Sequence, residues 1–360
     1  MTKINNAQQI DYIRENASKI AEKLLDWYGE NKRDLPWRRN HDPYSIWISE
    51  VMLQQTQVGT VIDYFIDFMK KFPTVKDLAE ASEDEVLKAW TGLGYYSRAK
   101  RLKQTAVILQ EKYDGLFPKD FDKVIKLPGI GPYTAGAILS IAYNLRFPAV
   151  DGNVLRVFSR LFNDHRDIGD TKTQQSFEEV ALKLLPADCR HFNQGLMELG
   201  SQVCLPKNPR CEICPVHSLC LSHQYGCEKL LPFKKARVKN IQLDMEVAWV
   251  EYNNLILIIK RPSEGLLASL WGFPIIERNL TLQEGLSIKE ELEVLLGTTV
   301  ELLEPLKKAK HVFSHRTWNM TLYRFKAFKK IIPDTPETEW IDLQQLRNYP
   351  FPTAFKKLVP

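Results

Sequence analysis

Residues 127–136 read LPGIGPYTAG, and residues 150–157 read VDGNVLRV. The first string places an apolar-Pro-Gly-apolar-Gly turn between two segments whose apolar residues recur at helical spacing. Its glycines, Gly129 and Gly131, let backbone N–H groups come close to a ligand. A helix opening near Thr134 offers amide donors to a phosphate without reading any base. Taken alone, such a turn is equally what a plain helix connector looks like. The second string puts Asp151 at an expected helix N-cap, where the helix dipole favours its ionised form.

About fifty residues further on, Cys204, Cys211, Cys214 and Cys220 form a C-x6-C-x2-C-x5-C run. Four thiolates at this spacing can wrap one metal centre, and Cys211 and Cys214 supply adjacent ligands from one turn. Zinc and iron–sulfur clusters both accept four thiolates, and spacing alone leaves the two open. The intervening Leu205–Arg210 is a short basic loop, suited to a phosphate backbone or simply to solvent. Cys189 and Cys227 fall outside the run and read as ordinary buried thiols.

The chain has 360 residues, 44% hydrophobic and 26% charged, enough for two domains with their own cores. No apolar run is long enough to span a bilayer, and the first residues lack the apolar core of a secretory signal. Six cysteines in such a chain point to a reducing, cytoplasmic setting (nucleoid-associated in a bacterium) and to thiolate ligands rather than disulfides. The net charge of +5 is modest and says little about a nucleic-acid partner. Most of it falls in residues 228–240, where Lys229, Lys234, Lys235, Arg237 and Lys239 face Glu228 alone.

That basic, aperiodic stretch is read as a linker between two domains of different character. Residues 1–227 read as helix after helix, broken at Pro36, Pro43, Pro73, Gly92–Gly94 and Pro128–Gly131. Residues 241–360 are α+β. Met245–Val250 and Leu255–Lys260 read as strands around an Asn253–Asn254 turn, Leu286–Leu296 as an amphipathic helix, and His311–Phe313 and Trp318–Phe328 as further strands.

The order and separations of LPGIGPYTAG, VDGNVLRV and the four cysteines resemble the helix-hairpin-helix DNA glycosylases of the endonuclease III superfamily. The resemblance implies a [4Fe-4S] cluster on the four cysteines, acting as a structural and DNA-contacting element. It implies a hairpin at Gly129 and Gly131 that holds DNA, and an Asp151 that faces the sugar of the target nucleotide. Bifunctional members carry a lysine two residues past the last hairpin glycine. Tyr133 stands there in this chain, and a phenol cannot form an imine, so efficient lyase activity is not expected.

RDLPWR (Arg33–Arg38), DPY (Asp42–Tyr44) and WISEVMLQQTQV (Trp47–Val58) look like the MutY branch, the adenine DNA glycosylases. Glu50 sits among apolar residues, and burial would keep it a proton donor near neutral pH. By resemblance it is the general acid that protonates adenine N7. Asp151 then stabilises or captures the oxocarbenium-like sugar, a logic close to two-carboxylate glycoside hydrolysis. Tyr133 and Asn153 match positions that support these two groups. Arg33 and Trp37 belong to the implied DNA-contacting set. Gln55 matches the probe of the base stack, and Tyr95 in GLGYYSRA (Gly92–Ala99) matches the wedge beside it.

Residues 241–360 resemble the Nudix-like C-terminal domain of that branch. KEELEVLLG (Lys289–Gly297) places Val294 and Leu295 where a hydrolase needs its metal-binding glutamates, so no metal-dependent nucleotide hydrolysis is expected. Phe313, Ser314 and His315 match the loop that reads 8-oxoguanine opposite adenine. Lys307, Lys308, Lys310 and Arg316 suit phosphates or solvent equally. The implied partner is duplex DNA holding 8-oxoguanine:adenine, or guanine:adenine, bound by a monomer. Three other readings remain: a bifunctional lyase, opposed by Tyr133; a non-catalytic mismatch binder, opposed by the Glu50–Asp151 pair; and an iron–sulfur electron carrier, which leaves nearly all of the chain unused.

Overall fold

The computed structural model describes residues 6–235, 240–278, 287–332 and 337–359. Residues 236–239 of the expected linker and Leu286 of the expected helix lie outside them. In chain order the helices are α1 (Asn6–Asn31), α2 (Pro43–Leu53), α3 (Val58–Lys71), α4 (Val75–Glu80), α5 (Glu83–Ala89), α6 (Ser97–Tyr113), α7 (Phe121–Val124), α8 (Pro132–Tyr143), α9 (Gly152–Leu161), α10 (Thr171–Leu184), α11 (Cys189–Gln202) and α12 (Leu221–Gln224). Then follow β1 (Ile241–Tyr252), β2 (Leu255–Lys260), β3 (Trp271–Gly272), β4 (Ile275–Arg278), α13 (Ile288–Leu296), β5 (Val300–Val312), β6 (Arg316–Ala327), β7 (Thr338–Asp342) and α14 (Thr353–Lys356). The described residues fall into two compact units, 1–79 with 104–236, and 80–103 with 237–360.

In the first unit, α2 and α8 are buried along nearly their whole length, from Tyr44 to Met52 and from Thr134 to Ala142. A helix apolar on every side belongs in the middle of a core. Glu50 therefore lies on a central helix and is buried, as its apolar neighbours in sequence lead one to expect. Asp42 starts α2 by accepting hydrogen bonds from the Tyr44 and Ser45 amides, with Pro43 in the first turn. Gly136 lets α8 meet the following loop, because a Cβ there would lie 1.9 Å from the Pro148 carbonyl oxygen. A second apolar cluster joins α1, α9, α10 and α11 through Leu24, Phe158, Phe177 and Phe192.

The second unit is built on a mixed sheet of order β3-β2-β1-β6-β5, with β4 on β1 and β7 on β2. β1 and β2 pair antiparallel around Asn253 and Asn254, both at positive φ, as the turn signal anticipates. β1 and β6 are parallel along eleven partnered positions from Ile241 to Glu251, which makes them the centre of the sheet. Alternation splits their side chains between two layers. Val247, Trp249, Trp318 and Met320 pack with Phe351 and Phe355, while Ala248, Val250 and Phe325 pack under Ile288 and Leu292 of α13.

β5 corrects the expectation of a short strand at His311–Phe313. It begins at Val300 and stays mostly exposed along the sheet edge. Two register shifts flank Glu304–Pro305, and Lys307, Lys308 and Lys310 follow. These protect an edge from further pairing, and they also erase the period-two pattern by which a strand is recognised.

Candidate active site and iron–sulfur centre

An open cleft in the first unit is lined by Arg33, Trp37, Arg38, Glu50, Gln55, Tyr133, Asp151, Asn153 and Glu198. α2 delivers Glu50, α8 delivers Tyr133, and the start of α9 delivers Asp151. Glu50 is 5% exposed. Burial raises its pKa to about 7, assisted by the nearby Asp151 charge and opposed by a hydrogen bond that the Tyr133 hydroxyl donates to Oε2. Burial, with both carboxylates close by, holds the Tyr133 phenol well above its usual value. That phenol also reaches the Met197 sulfur at 3.3 Å.

Asp151 is the N-cap of α9. Its Oδ1 accepts from the amides of Asn153 at 2.9 Å and Val154 at 2.8 Å, and its Oδ2 accepts from Asn153 Nδ2 at 2.7 Å. Burial raises its pKa, and these three donors work against that rise. Asn153 is fixed in turn by Arg156, which donates to Asn153 Oδ1 at 2.9 Å, to the Gly200 carbonyl at 2.7 Å and to the Cys204 carbonyl at 2.8 Å. α11 can pass this close because residue 200 is glycine; a Cβ there would lie 2.6 Å from that of Asn153.

Glu198 is a site residue that sequence reading missed, since an isolated glutamate in a helix carries no signal. It is 1% exposed, and it accepts from Arg33 Nε at 2.7 Å and Arg38 Nη2 at 2.8 Å. Burial alone would raise its pKa, but the two guanidiniums outweigh that and hold it near about 2. Arg33 therefore enters the cleft already engaged. Trp37 is buried edge-on against Phe65, at 5.3 Å between ring centroids, and lines the cleft as wall. Gln55 stands at φ 59° in the turn between α2 and α3.

The hairpin glycines lie outside the lining of this cleft. Gly129 has φ 77°, and Gly131 is the N-cap of α8 and offers no side-chain acceptor to the first turn. Pro132 makes the helix open two residues earlier than expected.

Cys204, Cys211, Cys214 and Cys220 line one pocket, together with Arg160, His217, His223 and Glu228. None of the six cysteines is in a disulfide, and Cys189 and Cys227 are buried as expected. Burial, with mutual repulsion, pushes Cys211 up to about 11 and Cys214 to about 12. Partly buried thiols at Cys211, Cys214 and Cys220 that resist ionising on their own suit a cationic centre that binds them as thiolates. Arg160 Nη1 donates to Cys204 Sγ at 3.3 Å, the type of contact that tunes iron–sulfur centres. Cys211, His223 and Glu228 also bring ligand atoms within 4.8 Å of one another.

In the second unit Tyr95 and Tyr96 separate cleanly. Tyr95 is 45% exposed at φ 49°, and Tyr96 is 8% exposed. The Arg98 guanidinium lies 5.4 Å from the centroid of the Tyr95 ring. Phe313, Ser314 and His315 form the turn from β5 to β6, with Ser314 and His315 exposed and Phe313 half-buried against Trp318.

Residues 48–183 match the HhH-GPD superfamily of base excision DNA repair proteins, and residues 204–220 match the iron-sulfur binding domain of endonuclease III. The adenine DNA glycosylase of Rattus norvegicus is 36% identical, over 93% of this chain and 76% of its own length. The adenine DNA glycosylase of Buchnera aphidicola (subsp. Acyrthosiphon pisum) is 32% identical, over 94% of this chain and 96% of its own. The chain belongs to the adenine DNA glycosylase (MutY) family. It is a base excision repair glycosylase with an iron–sulfur site. Residues 246–360 match the NUDIX domain, which agrees with the α+β reading of the second half. Among solved structures, a thermostable thymine-DNA glycosylase covers 59% of this chain and 98% of itself, with TM-score 0.53 and 29% identity. A trapped endonuclease III–DNA covalent intermediate shares the fold over 62% of this chain and 99% of its own, with TM-score 0.51 and 24% identity.

Proposed function

We propose that this glycosylase excises adenine opposite 8-oxoguanine, with Glu50 as general acid and Asp151 as stabilising carboxylate. The observation that carries this reading is a buried Glu50, with pKa near about 7, in the same cleft as an N-capping Asp151. Glu50 gives its proton to adenine N7. The C1′–N9 bond then breaks, and its electron pair leaves with the base. The positive charge on the sugar is met by Asp151, as an ion pair or as a transient ester. Water adds at C1′ and yields the abasic site, and its proton returns to the Glu50 carboxylate. Tyr133 holds that carboxyl, and Asn153 keeps the Asp151 oxygens aimed and favours their ionised form against the effect of burial. With a phenol at position 133, no imine forms, and borohydride should trap little protein on DNA.

The four cysteines would hold a [4Fe-4S] cluster, which when bound supplies a rigid structural centre for the loop beside it. Iron and sulfide analysis with visible absorption tests its type. Gly129, Gly131, Gln55 and Tyr95 would meet the DNA, and Phe313–His315 the base opposite adenine. The same reading makes the protein a cytoplasmic monomer.

Single-turnover adenine release from 8-oxoguanine:adenine, guanine:adenine and 8-oxoguanine:cytosine duplexes tests the whole assignment. Fast release from the first and none from the last is expected. Glu50→Gln and Asp151→Asn should each lose excision by orders of magnitude while still binding the lesion duplex. Tight binding without release by the unaltered protein would mean a mismatch-binding module instead.

A further inference from the structure

The turn between β5 and β6 is short and outward-facing, so its position depends on what holds its two sides. Its own closure is one hydrogen bond, from the Phe313 amide to the Arg316 carbonyl at 2.8 Å. Beneath it, the Phe313 ring packs edge-on against His311 at 4.5 Å and Trp318 at 4.9 Å. That stack ties Phe313 to Trp318 of the return strand, but no ring of it belongs to Ser314 or His315 at the tip.

A second support comes from a residue outside β5 and β6. Asn240 stands immediately before β1, at the end of the basic stretch read as a linker. Its Nδ2 donates to the Phe313 carbonyl at 3.2 Å, and its Oδ1 accepts from the Thr317 hydroxyl at 2.8 Å. Thr317 is buried, so it is a fixed post. The next amide, of Ile241, donates to the His315 carbonyl at 3.1 Å. One amide side chain thus bridges the outgoing and returning arms of the turn, with Ser314 between them. Asn240 is itself an exposed residue, and both of its side-chain partners belong to the arms of the turn.

We infer that Asn240 is a positioning residue for recognition of the base opposite adenine. The inference rests on the reading of Phe313–His315 as the turn that contacts that base. A hydroxyl tells two base edges apart only if its oxygen is held within a few tenths of an ångström, because hydrogen bonds weaken steeply with distance and angle. Without the bridge, Ser314 keeps its chemistry but samples more positions. Preference for the oxidised base then falls, while adenine chemistry at Glu50 and Asp151 continues.

The test is single-turnover adenine release across a range of enzyme concentrations, on 8-oxoguanine:adenine and guanine:adenine duplexes. The variants are Asn240→Ala, Asn240→Asp, Thr317→Val and Ser314→Ala. Asn240→Ala should raise the half-saturating enzyme concentration on 8-oxoguanine:adenine about tenfold, the loss of about one well-formed hydrogen bond. It should leave the saturated rate, and both parameters on guanine:adenine, within about twofold. Asn240→Asp keeps an acceptor for Thr317 but has no donor for Phe313, so it should match Asn240→Ala. Thr317→Val should show a smaller loss of the same kind. Equal loss on both duplexes, or a lower saturated rate, would mean a general structural role and would overturn the inference. Lost preference in Ser314→Ala with intact preference in Asn240→Ala would overturn the role of Asn240 alone. Intact preference in Ser314→Ala would overturn the reading of the turn itself.

Discussion

The Tyr95 hydroxyl lies 2.6 Å from Ser314 Oγ, across 219 residues of sequence. One residue is the expected wedge in the base stack, and the other the expected reader of the opposite base. In this structure they are hydrogen-bonded within one compact unit. Lys100, which meets Glu83 at 3.3 Å and Ser269 at 2.6 Å, and Lys260, which meets Asp84 at 3.2 Å, hold the flanking segments together.

Tyr95→Phe keeps the ring and removes the hydroxyl. The pair is exposed, so its energy is small, about 0.5–1 kcal/mol. A double-mutant cycle of Tyr95→Phe with Ser314→Ala, read as affinity for the lesion duplex, should give a coupling of about that size. Strictly additive effects would mean that the contact does not persist on DNA.

Glu50 predicts two linked pH effects. Its folded pKa, about 7, is above the ordinary 4.5. Excision at saturating enzyme should therefore fall as pH rises through about 7, as the acid loses its proton. Stability moves the same way. The folded state holds a proton that the unfolded chain releases above its lower pKa, so stability declines from about pH 4.5 to about 7 and then levels. Glu50→Gln removes that decline. In denaturant melts it should match the parent near pH 4 and exceed it at pH 8 by on the order of 3 kcal/mol.

Glu198→Ala leaves Arg33 and Arg38 without their carboxylate. The expected loss is about 2–3 kcal/mol in denaturant melts at pH 7, discounted for the partial exposure of Arg33. The Glu198 pKa is depressed from 4.5 to about 2, so the pair's contribution is fully present above about pH 4.5 and is lost as pH falls towards 2. The difference between parent and variant should narrow over that window.

Arg156 connects Asn153 to the Cys204 carbonyl, and so joins Asp151 to the cysteine loop. Arg156→Ala should slow excision about tenfold or more and weaken retention of the iron–sulfur centre, followed by visible absorption. Arg156→Lys should not rescue it, because one ammonium cannot reproduce a planar fork that meets three acceptors. Normal excision in either variant would show that Asp151 is held by its own helix cap alone.

Local chemistry by itself determined much of this protein. Asp151 caps α9 because a short carboxylate before a helical run meets free amides, and the turn at Gly129 needs a residue that tolerates positive φ. The gaps between the cysteines allow one shared pocket, and Asn253–Asn254 closes a hairpin. Each of these is set within a few residues. The tertiary structure alone decided what depends on groups far apart in the chain. Glu198 became the carboxylate of two arginines 165 and 160 residues away, and Asn240 became the bridge across a turn 73 residues on. β5 was hidden because edge protection breaks alternation, and Glu50 reached its pKa only when α2 was enclosed on every side. Apolar neighbours announce that Glu50 is buried, but the extent of burial and the long-range hydrogen bonds are properties of the packed chain.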